Sequence, residues 1–379
     1  MRIGIIGGGP AGLYFALLMK KQNPRHEIHV VEQNPAGAAY GFGLVFAAPA
    51  LRILADSDPE FYEDFMRDRV ELDGMEIVHR GVRVPVKGNV WARVSRIDML
   101  HQLQRHCLRR GVTIDFESRA EDVDRFPERD LVVVADGVAS PIRAKHADWF
   151  GPSFERRHNK FAWYGTEALI APLSLIFRQN EHGIFIGHAY QYSKTHSTFV
   201  VECDPQSWAR AGLDRMAEAE SLKYCAGVFR DDLGGTPLLA NKAQWMNTAV
   251  VRNRNWSHGN VVLLGDALRT VHPSIGSGTR MALQDAIALA RALKRSDDDV
   301  AAGLAAFPRT RKPGSDDFQE AGIKSILWYE NVAAIMHLDP IAFARSYFRR
   351  TGKMSDQDLR RMDPVFVAAY EKERRAPLS

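Results

Sequence analysis

Apolar residues fall into unbroken runs in some stretches of the chain and into helical or alternating spacings in others. Arg2-Ile3-Gly4-Ile5-Ile6 hardly alternates, as expected of a strand covered on both faces. Leu13, Leu17 and Leu18 recur at helical spacing over residues 10–21. Glu27-Ile28-His29-Val30-Val31-Glu32 is a second strand. Together they predict a parallel β-α-β unit of about thirty residues. Residues 51–54 and 59–65 read as helix, 77–86 and 90–94 as short strands. Residues 96–110 read as an amphipathic helix with Leu100, Leu103 and Cys107 or Leu108 inward. Strands follow at 112–116 and 131–135.

From 159 to 203 the chain becomes β-branched and aromatic, predicting an antiparallel sheet with turns at Gly165 and at Glu181-His182-Gly183. Residues 204–233 return to helix, 261–264 form an apolar strand, and 278–294 form a helix that exits at Asp297-Asp298-Asp299. Arg311-Lys312-Pro313-Gly314-Ser315 reads as a break, followed by helix to the end. No internal repeat is visible. The expected class is α/β: a Rossmann-like β-α-β domain, an inserted antiparallel sheet and a helical C-terminus.

At 379 residues the chain exceeds one ordinary domain, so two interlocked domains or one domain with an inserted sheet is expected. The balance of 45% apolar and 25% charged residues excludes disorder. No apolar run approaches the roughly 20 residues of a membrane span. The apolar stretch after Met1 and Arg2 is interrupted by glycines and Pro10, so no signal peptide or membrane partner is expected. The three cysteines, Cys107, Cys203 and Cys225, are far apart. They form neither a disulfide framework nor a zinc ribbon, which suits a cytoplasmic protein. No His/Cys/Asp cluster has ligand spacing, and no metal is expected. A net charge of +4 suits an anionic small molecule and is too weak to indicate nucleic acid.

Gly7-Gly8-Gly9-Pro10-Ala11-Gly12 is G-x-G-x-x-G between a strand and a helix, with Glu32 twenty residues after Gly12. Gly7 permits the tight turn, Gly9 lets a pyrophosphate approach the backbone, and Gly12 lets helix and strand pack closely. Pro10 and Ala11 open a helix whose N-terminus favours phosphate. Glu32, with Gln33 beside it, suits a ribose diol. The fingerprint alone leaves NAD and FAD open.

Three later segments carry a family resemblance. Gly265-Asp266-Ala267-Leu268-Arg269, then Pro273, Gly276, Gly278 and Asp285-Ala286, resembles the second FAD motif of single-component flavin hydroxylases, the para-hydroxybenzoate hydroxylase-like family. The stretch Asp136-Gly137-Val138-Ala139-Ser140-Pro141-Ile142-Arg143 resembles that family's DGxxSxxR segment. Arg96 resembles the arginine that opens a helix against FAD. The chain departs from the pattern at Arg269, Arg280 and Ala282. Tyr40-Gly41-Phe42-Gly43-Leu44-Val45-Phe46, Asn159 to Thr166, His188-Ala189-Tyr190, Ser197 to Glu202, Trp328-Tyr329-Glu330-Asn331 and His337-Leu338-Asp339-Pro340 are similar to a narrower subgroup. Its members act on salicylyl-CoA, on 2-aminobenzoyl-CoA or on an intermediate of violacein biosynthesis. The second of these carries a reductase domain after this region, and a chain ending at Ser379 is expected to lack that activity.

The resemblance implies an aromatic monooxygenase holding FAD tightly but non-covalently, with NADH or NADPH as transient electron donor. Oxygen carried as a flavin hydroperoxide would pass to an aromatic ring. The first expectation is 5-hydroxylation of salicylyl-CoA to gentisyl-CoA. Another aromatic hydroxylation, or a non-catalytic FAD-binding redox role, stays open. The implied FAD domain spans 1–75, 95–158 and 250–310, the substrate sheet 76–94 and 159–249, and the helical region 311–379. Asp266 is expected on the ribityl hydroxyls, Pro273 to Gly278 beside the flavin ring, and Asp136, Ser140 and Arg143 at the nicotinamide.

Period-two geometry puts His188, Tyr190 and Tyr192 on one face of a strand. His188 or Tyr190 would activate a ring hydroxyl, with His272 competing for the role. Arg345, Arg349 and Arg350, with Lys353, would receive CoA phosphates or form a solvated helix face. The protein is expected as a monomer or homodimer.

Overall fold

The computed structural model describes residues 1–38 and 41–375, so Tyr40 and the last four residues lie outside the described part. Two sheets organise it. The six-stranded sheet runs in the order Ser257–His258, Val261–Leu263, Leu131–Val134, Arg2–Ile6, Glu27–Val31, Thr113–Asp115. Its strands pair in parallel except for the Ser257–His258 edge. Ile3, Ile5, Val30, Leu131, Val133, Val262 and Leu263 are all fully buried, which explains the unbroken apolar runs. The Pro10–Gln22 helix is buried from Ala11 to Lys20 and packs against the Gly278–Arg295 and Arg96–Arg109 helices.

The nine-stranded sheet is broader than the sequence suggests. Its path is Leu238–Leu239, Pro152–Thr166, Ser197–Cys203, Gly183–Gln191, Leu173–Asn180, Val70–His79, Val82–Ser95, Gly43–Ala47, with Met246–Asn253 added on Pro152–Thr166. The expected domain boundaries therefore shift. Residues 43–47, 70–75, 152–158 and 250–253 belong to this sheet, because backbone pairing across it outweighs their proximity in sequence to the nucleotide domain. Residues 77–86 are a hairpin rather than one strand: Arg80 and Gly81 both have positive φ, as a tight two-residue turn requires.

Gly165 lies inside a strand rather than at a turn; a Cβ there would come within 2.5 Å of the Phe42 ring. The expected break at 311–315 is absent, and Val300–Glu330 is one helix with Pro308 and Pro313 inside it. Its buried positions Leu304, Phe307, Ser315, Gln319, Gly322, Ile326 and Tyr329 keep helical spacing throughout. Packing of that face offsets the roughly 3 kcal/mol a proline costs in a helix interior.

The sheet alternates as a covered sheet should. Ile184 and Ile186 pack with Leu175, Phe177, Phe343 and Tyr347 against the C-terminal helices. Phe185 and Ala189 pack on the other side with Phe199, Cys225 and Phe229. His188 and Tyr190 therefore share the face that packs against the C-terminal helices. All three cysteines are buried and unpaired. Among the described residues, no helix is long and apolar enough to cross a membrane.

Candidate active site

The glycine turn forms one wall of a cleft of about 120 Å³ that also exposes Glu32, Asn34, Arg96 and Gln104. Gly7 has φ of +108°, and a Cβ on Gly12 would stand 2.1 Å from the Gly7 carbonyl oxygen. A Cβ on Gly9 would meet no atom within 4 Å, so the turn presents bare backbone to the cleft. Pro10 begins the helix there. Glu32 accepts hydrogen bonds from the Gly8 N–H at 2.7 Å and the Asn34 N–H at 2.8 Å, which fixes its carboxylate against the turn. Two expectations change. Gln33 is exposed outside the cleft and Asn34 lines it, because Glu32 turns inward and the chain reverses after it. Ala11 is buried and faces Gly265, whose Cβ would lie 2.8 Å from it, so it joins the two motifs rather than lining the cleft.

The second motif approaches the same cleft. Asp266 is solvent-accessible, yet surrounding protein raises its pKa, against the pull of Arg269 and Arg96. Arg96 opens its helix within electrostatic reach of Asp266; burial lowers its pKa while Asp266 and Tyr190 raise it. Arg269, one of the departures, is buried and donates twice to Asp285 at 2.7 and 2.8 Å, where Arg311 also binds. It is a structural pair, not a ring contact. Pro273 starts a short turn that ends at Gly276, φ +57°. The Gly278–Arg295 helix then begins with no side-chain cap, and nothing lies within 4 Å of a Cβ at Gly276 or Gly278. Uncapped N–H groups at a helix start with free space around its glycines suit the carbonyl-rich edge of a flavin ring. With the bare Gly9 backbone and Asp266 beside Arg96, these residues fit FAD.

Ser140 and Arg143 do not meet the expectation of a direct nicotinamide contact. Both are buried. The Ser140 hydroxyl accepts the Arg143 N–H at 3.0 Å, and the guanidinium donates to the carbonyls of Ala267 at 2.8 Å and Val138 at 2.6 Å. Arg143 thus braces the Asp266 segment from behind. Asp136 is half-buried at the floor of the Gly7 turn, where burial raises its pKa.

On the sheet side, His188 Nε2 lies 3.0 Å from Glu202 Oε2, and Asn159 donates to the other oxygen at 2.8 Å. Burial opposes the Glu202 charge, but the hydrogen bond from His188, nearby His272 and Asn159 hold its pKa below the ordinary value. Tyr190 donates to the Gly43 carbonyl at 2.9 Å, while the Gly43 N–H donates to Thr198 at 2.8 Å. This stitches the 41–43 segment across the sheet. Burial pushes the Tyr190 phenol up to about 12, against Thr198, Arg93 and Arg96, so it stays protonated at neutral pH. His272 is pushed down to about 4 by burial and stays neutral. Its Nδ1 is tied to Ser274, which bonds Ser325.

The arginine cluster divides. Arg345 and Arg349 share Asp356, and Lys353 pairs with Asp317. Arg350 turns inward over the Tyr347 ring and donates to Ser325 at 2.9 Å and the Ser274 carbonyl at 3.1 Å. The three arginines therefore do not form one free phosphate site, because each already has acceptors. Among the described residues, no group of three or more His, Cys, Asp and Glu side chains could hold a metal.

Glu202 closes the Ser197–Glu202 segment, and its value appears only once the strand register brings it beside His188. Asn34 and Arg93 carried no sequence signal.

Comparison with known proteins agrees with this geometry. The family described as FAD binding domain matches residues 96–305. Salicyloyl-CoA 5-hydroxylase of a Streptomyces species is 36% identical over 96% of this chain and 73% of its own. Protodeoxyviolaceinate monooxygenase of Chromobacterium violaceum is 36% identical over 92% of this chain and 94% of its own. A tetrameric form of 2-methyl-3-hydroxypyridine-5-carboxylic acid oxygenase shares the fold at TM-score 0.72 and 18% identity, covering 95% of this chain and 97% of that one.

Proposed function

The chain belongs to the FAD-binding-domain family of flavin-dependent aromatic monooxygenases, and on that premise we propose that it hydroxylates an aromatic acyl-CoA thioester, converting salicylyl-CoA to gentisyl-CoA with NADH or NADPH and O2. Bound FAD supplies the redox chemistry and the oxygen activation. Gly9, Glu32, Asn34, Arg96, Asp266 and the 276–278 turn would hold it.

The observation that carries the reading is the His188–Glu202 pair on the sheet face beside Tyr190. Electrophilic oxygen transfer needs an electron-rich ring, so the ring hydroxyl must give up its proton. His188 donates Nε2–H to Glu202, which leaves Nδ1 as the acceptor for that proton. Glu202 then stabilises the imidazolium. A positioned base of this kind contributes about 10²–10⁴-fold. Tyr190 keeps its proton and fixes the Gly43 segment as a roof. His272, neutral and tied to Ser274, positions the 273–276 turn rather than acting as the base. Ser140 and Arg143 act from behind, holding the Asp266 segment in place, and Asp136 lies under the Gly7 turn.

The thioester is supported by the Streptomyces relative and not by Arg345, Arg349 and Arg350. Equal identity to the Chromobacterium relative supports a second reading, hydroxylation of an indolic intermediate. A panel of salicylyl-CoA, free salicylate, 2-aminobenzoyl-CoA and indolic acids, read as substrate-stimulated NAD(P)H oxidation, separates them. Salicylyl-CoA should stimulate most and free salicylate little. Preferential stimulation by an indolic acid would replace the first reading with the second. No stimulation by any aromatic would favour a non-catalytic redox role.

A further inference from the structure

Four arginines are buried among the described residues: Arg93, Arg143, Arg157 and Arg269. Three are partnered: Arg143 with two carbonyls, Arg157 with Glu155 and Glu330, Arg269 with Asp285. Arg93 is different. It is 0% exposed, and none of Nε, Nη1 and Nη2 has a hydrogen-bond partner. A guanidinium carries five N–H donors, and burying that charge without an acceptor is strongly unfavourable.

Its direction follows from the strand. Ala92 and Val94 pack into the core shared with the nucleotide domain, so Arg93 points to the opposite face. That face carries half-buried Val45, its partner across the strand pair. Gly43 shares that face two residues before Val45; a Cβ there would stand 2.4 Å from the Tyr192 Cβ, and its carbonyl accepts the Tyr190 hydroxyl at 2.9 Å, which places Arg93 on the side of the sheet that Tyr190 and Tyr192 approach. Tyr190 does not neutralise it, because the phenol keeps its proton and spends it on Gly43. Burial pushes Arg93 down only to about 10, so it remains a cation at neutral pH.

We propose that Arg93 is the specificity-determining residue for the substrate's acyl group, its planar fork taking the acyl carbonyl oxygen and the ortho ring oxygen of a 2-hydroxyaroyl thioester. This rests on the function proposed above and names the part of the substrate that is recognised. Both oxygens lie on one edge of the ring, which matches the two parallel N–H donors of a guanidinium. A cation beside the ortho oxygen also favours its ionised form, preparing the ring for electrophilic attack. Arg93 thus complements His188: one stabilises the phenolate, the other removes the proton.

The test is ligand binding to the FAD-loaded protein, read as perturbation of the flavin spectrum, with salicylyl-CoA and with benzoyl-CoA, which lacks the ortho oxygen. Wild type should prefer salicylyl-CoA. Arg93→Met should weaken salicylyl-CoA by about 10²-fold, the loss of charge-assisted hydrogen bonds, and bring the two ligands to near-equal Kd. The apparent pKa of the bound phenol, followed by its own absorbance, should rise. Arg93→Lys keeps the charge but not the fork and should recover only part of the discrimination, so it serves as the readout if the Met variant fails to fold. Undiminished discrimination in either folded variant overturns the proposal. Wild type that binds salicylyl-CoA without hydroxylating it overturns the function and leaves the Arg93 test intact. Wild type that binds neither thioester overturns both.

Discussion

Two glycines of one turn should fail in opposite ways. Gly12→Ala places a Cβ 2.1 Å from the Gly7 carbonyl oxygen, more than about 1 Å inside an ordinary C···O contact of roughly 3.3 Å. The first helix and strand must separate, and overpacking of this kind costs about 1–3 kcal/mol. Gly9→Val is different. Gly9 has φ of −78° and ψ of −179°, which any residue adopts, and its Cβ direction is open. The fold should lose about 1 kcal/mol or less at this cap position. The branched side chain would instead stand where a pyrophosphate meets the backbone. Losing two charge-assisted hydrogen bonds of about 1.5–3 kcal/mol each weakens FAD by about 10²–10⁴-fold. Melting temperature of the flavin-free proteins and FAD affinity by fluorescence quenching separate the two effects. Gly12→Ala should melt lower; Gly9→Val should melt near wild type and purify without flavin. Full FAD occupancy in Gly9→Val would refute this placement of the pyrophosphate.

Removing the acid–base pair should uncouple the reaction. His188→Ala and Glu202→Gln should keep FAD and still consume NAD(P)H, while product per NAD(P)H falls and hydrogen peroxide rises; tight coupling in both would move the activating group elsewhere. Tyr190→Phe should act more weakly, through the position of Gly43, and a loss equal to that of His188→Ala would make Tyr190 the reacting group. Stability should fall in acid. Burial pushes His272 down to about 4 in the folded protein, while the unfolded residue titrates near 6.5, so between these values only the unfolded chain takes up the proton. His272 therefore contributes its full stability above about pH 6.5 and loses it as pH falls towards 4. His272→Gln should flatten the melting temperature over that window, and an unchanged slope would show that this histidine does not report on folding.

The parallel sheet was legible because both its faces are buried, which removes alternation from Arg2–Ile6 and Leu131–Val134. The Gly7–Gly12 turn was legible because each glycine answers a separate geometric demand. The Val300–Glu330 helix was misread because proline is a local signal, whereas the face from Leu304 to Tyr329 is held by packing that only the fold supplies. Gly165 was misread for a similar reason: its glycine serves the close approach of Phe42, not a turn. The reassignment of Arg143 and Arg350 inward shows the limit for charged residues, since sequence spacing does not tell a ligand's cation from one that binds carbonyls of its own chain. Arg93 is the clearest case, because what distinguishes it is the lack of a partner, which no sequence records.

The most direct measurement is hydroxylation of salicylyl-CoA under isotopically heavy dioxygen, with NAD(P)H and the FAD-loaded protein, followed by mass analysis of the thioester. Gentisyl-CoA carrying one heavy oxygen atom is expected, formed in near-equal amount to the NAD(P)H oxidised, with free salicylate unreacted. NAD(P)H oxidised entirely to hydrogen peroxide, with the thioester recovered unlabelled, would contradict it.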